Sequence, residues 1–183
     1  MQPSNRVLDI FQDRISHHLA PKMSDDRYGD YVKQLDATLA VARQDMDCIH
    51  VLSDASAPMK GALQVSLATL VFQGGTKVAH IVAVGGRATT PNAELMALEM
   101  SMATALVAGC SLLVCFTDST TAMMDILDPT PHSGQASSLV ACSRLWGWFE
   151  QDLYVTVPHI FWKFWKFRPE YPDSRWNSTR TEK

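Results

Sequence analysis

The sequence predicts an α/β fold in which helices flank a five-stranded mixed sheet, in the order β-β-β-α-β-α-α-β. Three observations support this prediction. From Cys48 onward the chain contains short runs rich in Val, Ile and Leu, which are typical of buried strands. Two of these runs are separated by Gly74–Gly75, a strong signal for a hairpin. A long helical pattern comes next, and a crossover through a helix makes the following strand parallel to the first.

The first three strands are predicted to form an antiparallel meander. They are expected at Cys48–Ser53, Ala62–Phe72 and Lys77–Val84. The segment between the first and second contains Pro and Gly, which interrupt regular structure. The first of these strands is a short apolar run and is therefore expected at the centre of the sheet.

The long helix has clear start and stop signals. Thr90 is a suitable cap, Pro91 suits the first helical position, and Gly109 ends the pattern. The remaining elements are then predicted in order. They are a strand at Ser111–Phe116, a short helix that ends at Leu127 and is capped by Asp118 or Ser119, a helix at Ala136–Phe149, and a strand at Leu153–Val157.

The chain divides into three predicted segments. Residues 1–47 read as a helical connector, because Ile10, Phe11 and Ile15 fall at helical spacing and a second helix is expected at Tyr31–Arg43, with Val41 on its apolar side. Residues 48–158 form the α/β domain. Residues 159–183 form a basic tail rich in aromatic residues.

Composition limits the possible classes of function. Hydrophobic residues make up 46% of the chain and charged residues 19%, enough for a sizeable core and too apolar for a disordered protein. The net charge of −3 argues against a protein that grips nucleic acid by charge alone. Residues 160–183 differ, because they carry six Lys and Arg against three Asp and Glu.

The cysteines and the hydropathy pattern indicate an intracellular protein of the cytoplasm or nucleus. The four cysteines form no C-x-x-C pair, so neither disulfides nor a zinc site is expected. The first residues lack the apolar stretch of a signal peptide. No run of about 18 apolar residues predicts a membrane span, so no membrane partner is expected.

Three carboxylates stand at the ends of predicted elements. Asp54 closes the first strand, Glu94 opens the long helix, and Asp118 closes the fourth strand. Each has an ordinary explanation by itself: a satisfied strand-end acid, a favourable charge at a helix N-terminus, and a helix cap. Taken together, the three acids have another explanation, which is a shared site. The first and fourth strands are expected to be adjacent and parallel, which brings their carboxyl ends to one edge of the sheet. Three acids at that edge would repel unless cations neutralised them, and Mg²⁺ prefers such oxygen ligands.

These residues resemble the ribonuclease H family. The resemblance spans about residues 48–158 and is closest to the ribonuclease H domains of reverse transcriptases in fungal non-LTR retroelements. The segments that support it are VLSDAS, NAELMALEMSMATAL, LLVCFTDSTTAMMDIL and DPTPHSGQASSLVACSRLWGWFEQD.

The resemblance implies a metal-dependent endonuclease that hydrolyses the RNA strand of RNA–DNA hybrids. Asp54, Glu94 and Asp118 match the family's acids and would hold two Mg²⁺ or Mn²⁺ ions. Ser56 and Ser119 are candidates for contacts to phosphate or the 2′-OH, or are simple turn and cap residues. A reverse transcriptase domain of a parent polyprotein is the implied partner.

The chain departs from the family pattern after residue 158. The family has a fourth acid in a last helix and a histidine before it. Here His159 stands where that histidine is expected, His132 is a second candidate acid–base group, and Asp173 is the candidate fourth ligand. Because no clean helix with an inward acid follows, the alternative function is a catalytically degenerate module that binds nucleic acid or a protein partner.

The aromatic tail leaves three interpretations open. All five tryptophans lie after residue 145. Basic and aromatic residues that alternate are typical of single-strand nucleic-acid binding, since rings stack on bases and charges follow the backbone. A buried aromatic face with snorkelling lysines and a partner interface are the other two interpretations. The candidate nucleic-acid contacts in the tail are Trp162, Lys163, Trp165, Lys166 and Arg168.

Overall fold

A six-stranded mixed sheet with helices on both faces forms the body of the protein. The structure, a computed structural model, describes residues 10–11, 13–22, 24–57, 64–127, 136–151 and 153–160. In chain order the elements are β1 (Ile15–His18), α1 (Tyr28–Gln44), β2 (Cys48–Ser56), β3 (Ser66–Gln73), β4 (Thr76–Val84), α2 (Thr90–Ala108), β5 (Leu112–Phe116), α3 (Thr120–Leu127), α4 (Ala136–Phe149) and β6 (Tyr154–Pro158).

The strand order across the sheet is β1-β6-β5-β2-β3-β4. The β2-β3-β4 meander is antiparallel, as the sequence predicts, and β2 pairs in parallel with β5. The crossover through α2 therefore has the predicted outcome. Gly74 of the hairpin has a φ of 54°, and a Cβ there would lie 2.7 Å from the Met46 sulfur, so the turn requires glycine.

Two predictions about the sheet are wrong in detail. The sheet has six strands among the described residues, because Ile15–His18 forms a strand parallel to β6, with Ile15 opposite Val155. The helical spacing that ended at Ile15 predicted a helix there, and the partner strand that overrides it is distant in sequence. Strand β2 also continues to Ser56, where the sequence predicted an end at Ser53, because its pairing with β3 extends to Ser66.

The face of the sheet under α2, α3 and α4 holds the larger core. Alternate residues of the central strands, including Ile49, Val51 and Val71, lie there with the helix residues Leu98 and Met123. Trp148 of α4 is 1% exposed in this core, so at least one of the tail-proximal tryptophans is a packing residue. No helix in the described ranges is long and apolar enough to cross a lipid bilayer.

The opposite face of the sheet is covered by α1. Its buried residues are Tyr31, Leu35, Leu39 and Ala42, which pack on the second set of strand residues, with Leu52 and Phe116 among them. Val41, predicted to be on the apolar side, is 61% exposed because the buried stripe passes through Ala42 instead. The segment expected to be a connector thus contributes one helix and one strand to the body of the domain.

Tyr31 fastens α1 to the ends of β1 and β6. Its hydroxyl lies 2.5 Å from the carbonyl oxygen of His159, to which it donates, and 3.1 Å from that of His18. Burial raises the pKa of this hydroxyl to about 12, so it keeps its hydrogen at neutral pH. The amide of His159 donates to the His18 carbonyl at 2.9 Å, which closes the same junction.

We expect Tyr31→Phe to lower the free energy of unfolding by about 1–3 kcal/mol, because the buried carbonyl of His159 loses the hydroxyl that donates to it. Urea denaturation followed by circular dichroism measures this loss. The control is Tyr154→Phe, which removes a hydroxyl from a side chain that is 53% exposed and should change stability by no more than about 0.5 kcal/mol. Equal effects of the two changes would contradict the role given to Tyr31.

His50 makes stability depend on pH. It is fully buried, its ring stacks on Phe72 at a centroid distance of 4.9 Å, and burial, aided by Arg43, lowers its pKa from 6.5 to about 4. The unfolded chain therefore takes up a proton at a higher pH than the folded chain does. Stability from this group is complete above pH 6.5, falls as the pH drops towards 4, and falls no further below that.

We expect His50→Leu to flatten the decline of stability between pH 6.5 and 4. The part of the decline due to His50 is on the order of 3 kcal/mol at most, by the conversion of a pKa shift into free energy. Urea denaturation of both proteins at pH 7.5, 6, 5 and 4 measures it. If the two curves stay parallel over this range, His50 is not the group responsible.

Candidate metal centre

The register between β2 and β5 places two acids side by side. The last parallel pair in this register is Leu52 with Phe116, and Asp54 and Asp118 each lie two residues beyond that pair. Asp54 lies inside β2, opposite Ala68 of β3, and not at the end of the strand as predicted. Because β5 has already ended at this level, the side of β2 that faces β5 leaves room for the turn that contains Asp118.

Backbone contacts on both sides hold the turn at Asp118. Thr117 forms a parallel bridge with His159, and the amide of Ile160 donates to the Thr117 carbonyl at 2.8 Å. After the turn, the Ser119 hydroxyl accepts a hydrogen bond of 3.1 Å from the Ala122 amide and so caps α3. Of the two caps that the sequence predicted, Ser119 is the one seen.

Glu94 reaches the same place from α2. It is the fifth residue of the helix and lies just past the first turn, because the N-cap is Thr89 and not Thr90 as predicted. The helix begins after Thr89, whose extended backbone and the following Pro91 set its start. The side chain of Glu94 is only 8% exposed, and a carboxylate is rarely so buried without a partner.

The three carboxylates converge. Asp54, Glu94 and Asp118 each offer one oxygen, and these three oxygens all lie within 4.8 Å of one another. At an effective dielectric constant near 20, each ionised pair at that distance would repel by about 3 kcal/mol. A divalent cation between the oxygens removes that repulsion, and the alternative is to protonate one or more of the acids.

The donor set fits a hard cation. All three members of the group are carboxylates, and no sulfur or imidazole belongs to it among the described residues. Mg²⁺ and Mn²⁺ favour such oxygen ligands, whereas zinc sites are built mostly from cysteine and histidine. Asp54 and Asp118 are partly exposed, which leaves access from solvent for a substrate.

His159 lies beside the acids and is not one of the clustered ligands. Its Nε2 lies 3.1 Å from the carbonyl oxygen of Asp118. Burial lowers the pKa of His159, and its hydrogen bond with Asp118 opposes that shift. The sequence had no signal for what holds this histidine, because Tyr31, whose hydroxyl bonds its carbonyl, lies 128 residues away in the chain.

The other candidate residues are spread around the centre or lie outside the described residues. Ser56 is exposed at the end of β2, opposite Ser66, and Ser119 is partly exposed beside Asp118. His50, interpreted from the sequence as a packed strand residue, is indeed buried against Phe72. The predictions that fall outside the described residues concern His132, Asp173, Trp162, Lys163, Trp165, Lys166 and Arg168.

Known structures share this fold. The ribonuclease H1 of the halophilic archaeon Halobacterium salinarum aligns with a TM-score of 0.50 at 18% identity, over 62% of this chain and 85% of that one. The LC11 ribonuclease H1, in a crystal structure with an RNA/DNA hybrid, aligns with a TM-score of 0.51 at 15% identity, over 63% of this chain and 86% of that one.

A second structure of LC11 ribonuclease H1, isolated from compost by a metagenomic approach, gives a TM-score of 0.51 at 16% identity, over 64% of this chain and 87% of that one. No family model and no curated protein matches the sequence. The mixed sheet, its helices and these neighbours together show that the chain has the ribonuclease H fold.

Proposed function

We propose that this protein is a metal-dependent endonuclease of the ribonuclease H family that hydrolyses the RNA strand of RNA–DNA hybrids with two Mg²⁺ or Mn²⁺ ions. The observation that carries the proposal is the convergence of Asp54, Glu94 and Asp118 within 4.8 Å at the edge of the sheet. Open sheets bind ligands at the carboxyl ends of their strands. Asp118 lies just past the end of β5, and Asp54 lies two residues before the end of β2. The fold and the acid cluster therefore support the same chemistry.

The residues of this chain have distinct roles in the proposal. Asp54 and Asp118, fixed by the β2–β5 register, would hold the metal between them, and Glu94 would close the site from the α2 side. Metal ions bound there supply Lewis-acid stabilisation of charge on a phosphodiester and activation of water. His159 is a proposed acid–base group, supported by the contact of its ring nitrogen with the Asp118 backbone carbonyl.

An RNA–DNA hybrid is proposed as the substrate because of the fold rather than the acids alone. LC11 ribonuclease H1 was crystallised with an RNA/DNA hybrid, and the same fold with an acid cluster makes a hybrid the proposed substrate here. Ser56 is exposed two residues after Asp54, and Ser119 is partly exposed directly after Asp118, so each could offer a hydroxyl to phosphate or to the 2′-OH that distinguishes RNA. Ser119 retains its hydroxyl hydrogen for such a contact, because its oxygen acts as acceptor in the cap.

The tail and the wider setting belong to the proposal as well. Residues 48–159 carry eight acids against four Lys and Arg, so the positive charge for gripping a hybrid is proposed to come from residues 160–183. Trp162, Lys163, Trp165, Lys166 and Arg168 are the proposed contacts there. Asp173 and His132 are proposed as the fourth ligand and the second acid–base group.

The resemblance to retroelement reverse transcriptases suggests an intracellular setting and a polymerase domain as partner. The second candidate function is binding without catalysis. The observation that favours it is that the acid cluster has three members among the described residues.

We expect the purified chain to cleave a labelled RNA–DNA hybrid with Mg²⁺ or Mn²⁺ and to stop when EDTA removes the metal. Asp118→Asn and Asp54→Asn should each lower the rate by at least about 100-fold, because each removes a negative ligand from the centre. Product lengths on a denaturing gel measure cleavage, and circular dichroism checks that each variant is folded.

The matched control is Glu99→Gln. Glu99 lies on α2 only five residues after Glu94, yet its carboxylate pairs with Arg144 and is not in the cluster. Its loss should leave cleavage unchanged. A folded wild-type protein that binds the hybrid in EDTA and cleaves it at no metal concentration would overturn the nuclease and establish the binding module.

A further inference from the structure

A pair of buried hydroxyls connects α2 to the sheet behind the acid cluster. Thr69 of β3 and Ser101 of α2 are both fully buried, and their hydroxyl oxygens are in a short hydrogen-bonding contact. Thr69 Oγ1 also lies 3.1 Å from the Leu52 carbonyl oxygen, and Ser101 Oγ lies 2.9 Å from the Ala97 carbonyl oxygen.

The two hydroxyl groups cannot make all three of these hydrogen bonds at once. Two hydroxyls supply two hydrogens for three contacts, so one of the carbonyl contacts gives way to the bond between the hydroxyls. Whichever of the two hydroxyls is the donor, the hydrogen bond between Thr69 and Ser101 is kept. A slide of α2 by one turn would move Ser101 by about 5.4 Å and leave both hydroxyls buried without this bond.

The residues on both sides of this hydrogen bond lie close in the chain to the acids. Ser101 stands seven residues after Glu94, so both lie on nearly the same face of α2, about 20° apart. At the other end, Leu52 lies two residues before Asp54 and pairs with Phe116, which lies two residues before Asp118. The hydroxyl pair thus joins α2, which bears Glu94, to strands β3 and β2, close in the chain to Asp54.

We propose that Thr69 and Ser101 are positioning residues for the metal centre, which set the height and rotation of α2 so that the Glu94 carboxylate meets Asp54 and Asp118. The inference rests on the proposed function, because it concerns the same site. A buried polar pair is a weak source of stability and a stronger source of register. Its expected effect is therefore on metal affinity more than on folding.

The test is a double-variant cycle with Thr69→Val, Ser101→Ala and the two combined. Each single change breaks the bond between the two hydroxyls, and the hydroxyl that remains still has a backbone carbonyl as its acceptor, so all three variants should stay folded. Mn²⁺ affinity, measured by titration calorimetry without substrate, should be on the order of tenfold weaker in the combined variant, as for other residues that orient ligands.

The control is Thr104→Ala. Thr104 is on the same helix and bonds the Met100 carbonyl at 2.9 Å, four residues back, as Ser101 does with Ala97, but no hydrogen bond to the sheet is found for it among the described residues. It should keep the wild-type Mn²⁺ affinity. Thr69→Ser, which retains the hydroxyl, should restore the affinity that Thr69→Val loses.

The outcomes separate the two claims. A wild-type protein that binds Mn²⁺, together with a folded combined variant that binds it equally well, would overturn the positioning role and leave the nuclease proposal intact. A folded wild-type protein that binds no Mn²⁺ would overturn both. Weaker binding in the combined variant, with stability near wild type and with Thr104→Ala unaffected, is the result that the inference predicts.

Discussion

The parallel pairing of β2 with β5 is the constraint on which the rest of the structure depends. Its register ends at Leu52 and Phe116, and this shared end brings Asp54 and Asp118 to the same level. The pairing can form because α2 supplies the crossover between the meander and β5, and that same helix contributes Glu94. One topological feature thus creates the sheet, its core and the acid cluster, and the repulsion among the acids makes a bound cation the natural complement.

Both faces of the sheet contribute to the candidate site. The helices α2, α3 and α4 bury the larger core, and α2 is held on the sheet by Thr69 and Ser101. On the other face, α1 buries a second core and places Tyr31 against the His159 carbonyl, beside the acids. The N-terminal segment is therefore part of the frame around the site, although the sequence there resembles a connector.

The sequence was sufficient for the parts of the fold that depend on local signals. Apolar runs, the Gly74–Gly75 turn and the span of α2 predicted the topology. Two acids at the ends of apolar runs and one acid near the start of α2 predicted the cluster. Contacts between distant segments could not be predicted in this way. The strand at Ile15 forms by pairing with the strand at Val155, and the His159 carbonyl is bonded by the Tyr31 hydroxyl. No local sequence pattern indicates either contact. The extension of β2 past Asp54 likewise follows from its pairing with β3.

If the three carboxylates brought together by strand register form a divalent metal site, an ion bound there can be located directly. The most direct measurement is a crystal structure of the protein grown or soaked with Mn²⁺, with data collected to locate the ion by its anomalous scattering. We expect an anomalous peak at ligand distance from Asp54, Glu94 and Asp118. Well-ordered crystals at saturating Mn²⁺ with no peak between these side chains would contradict it.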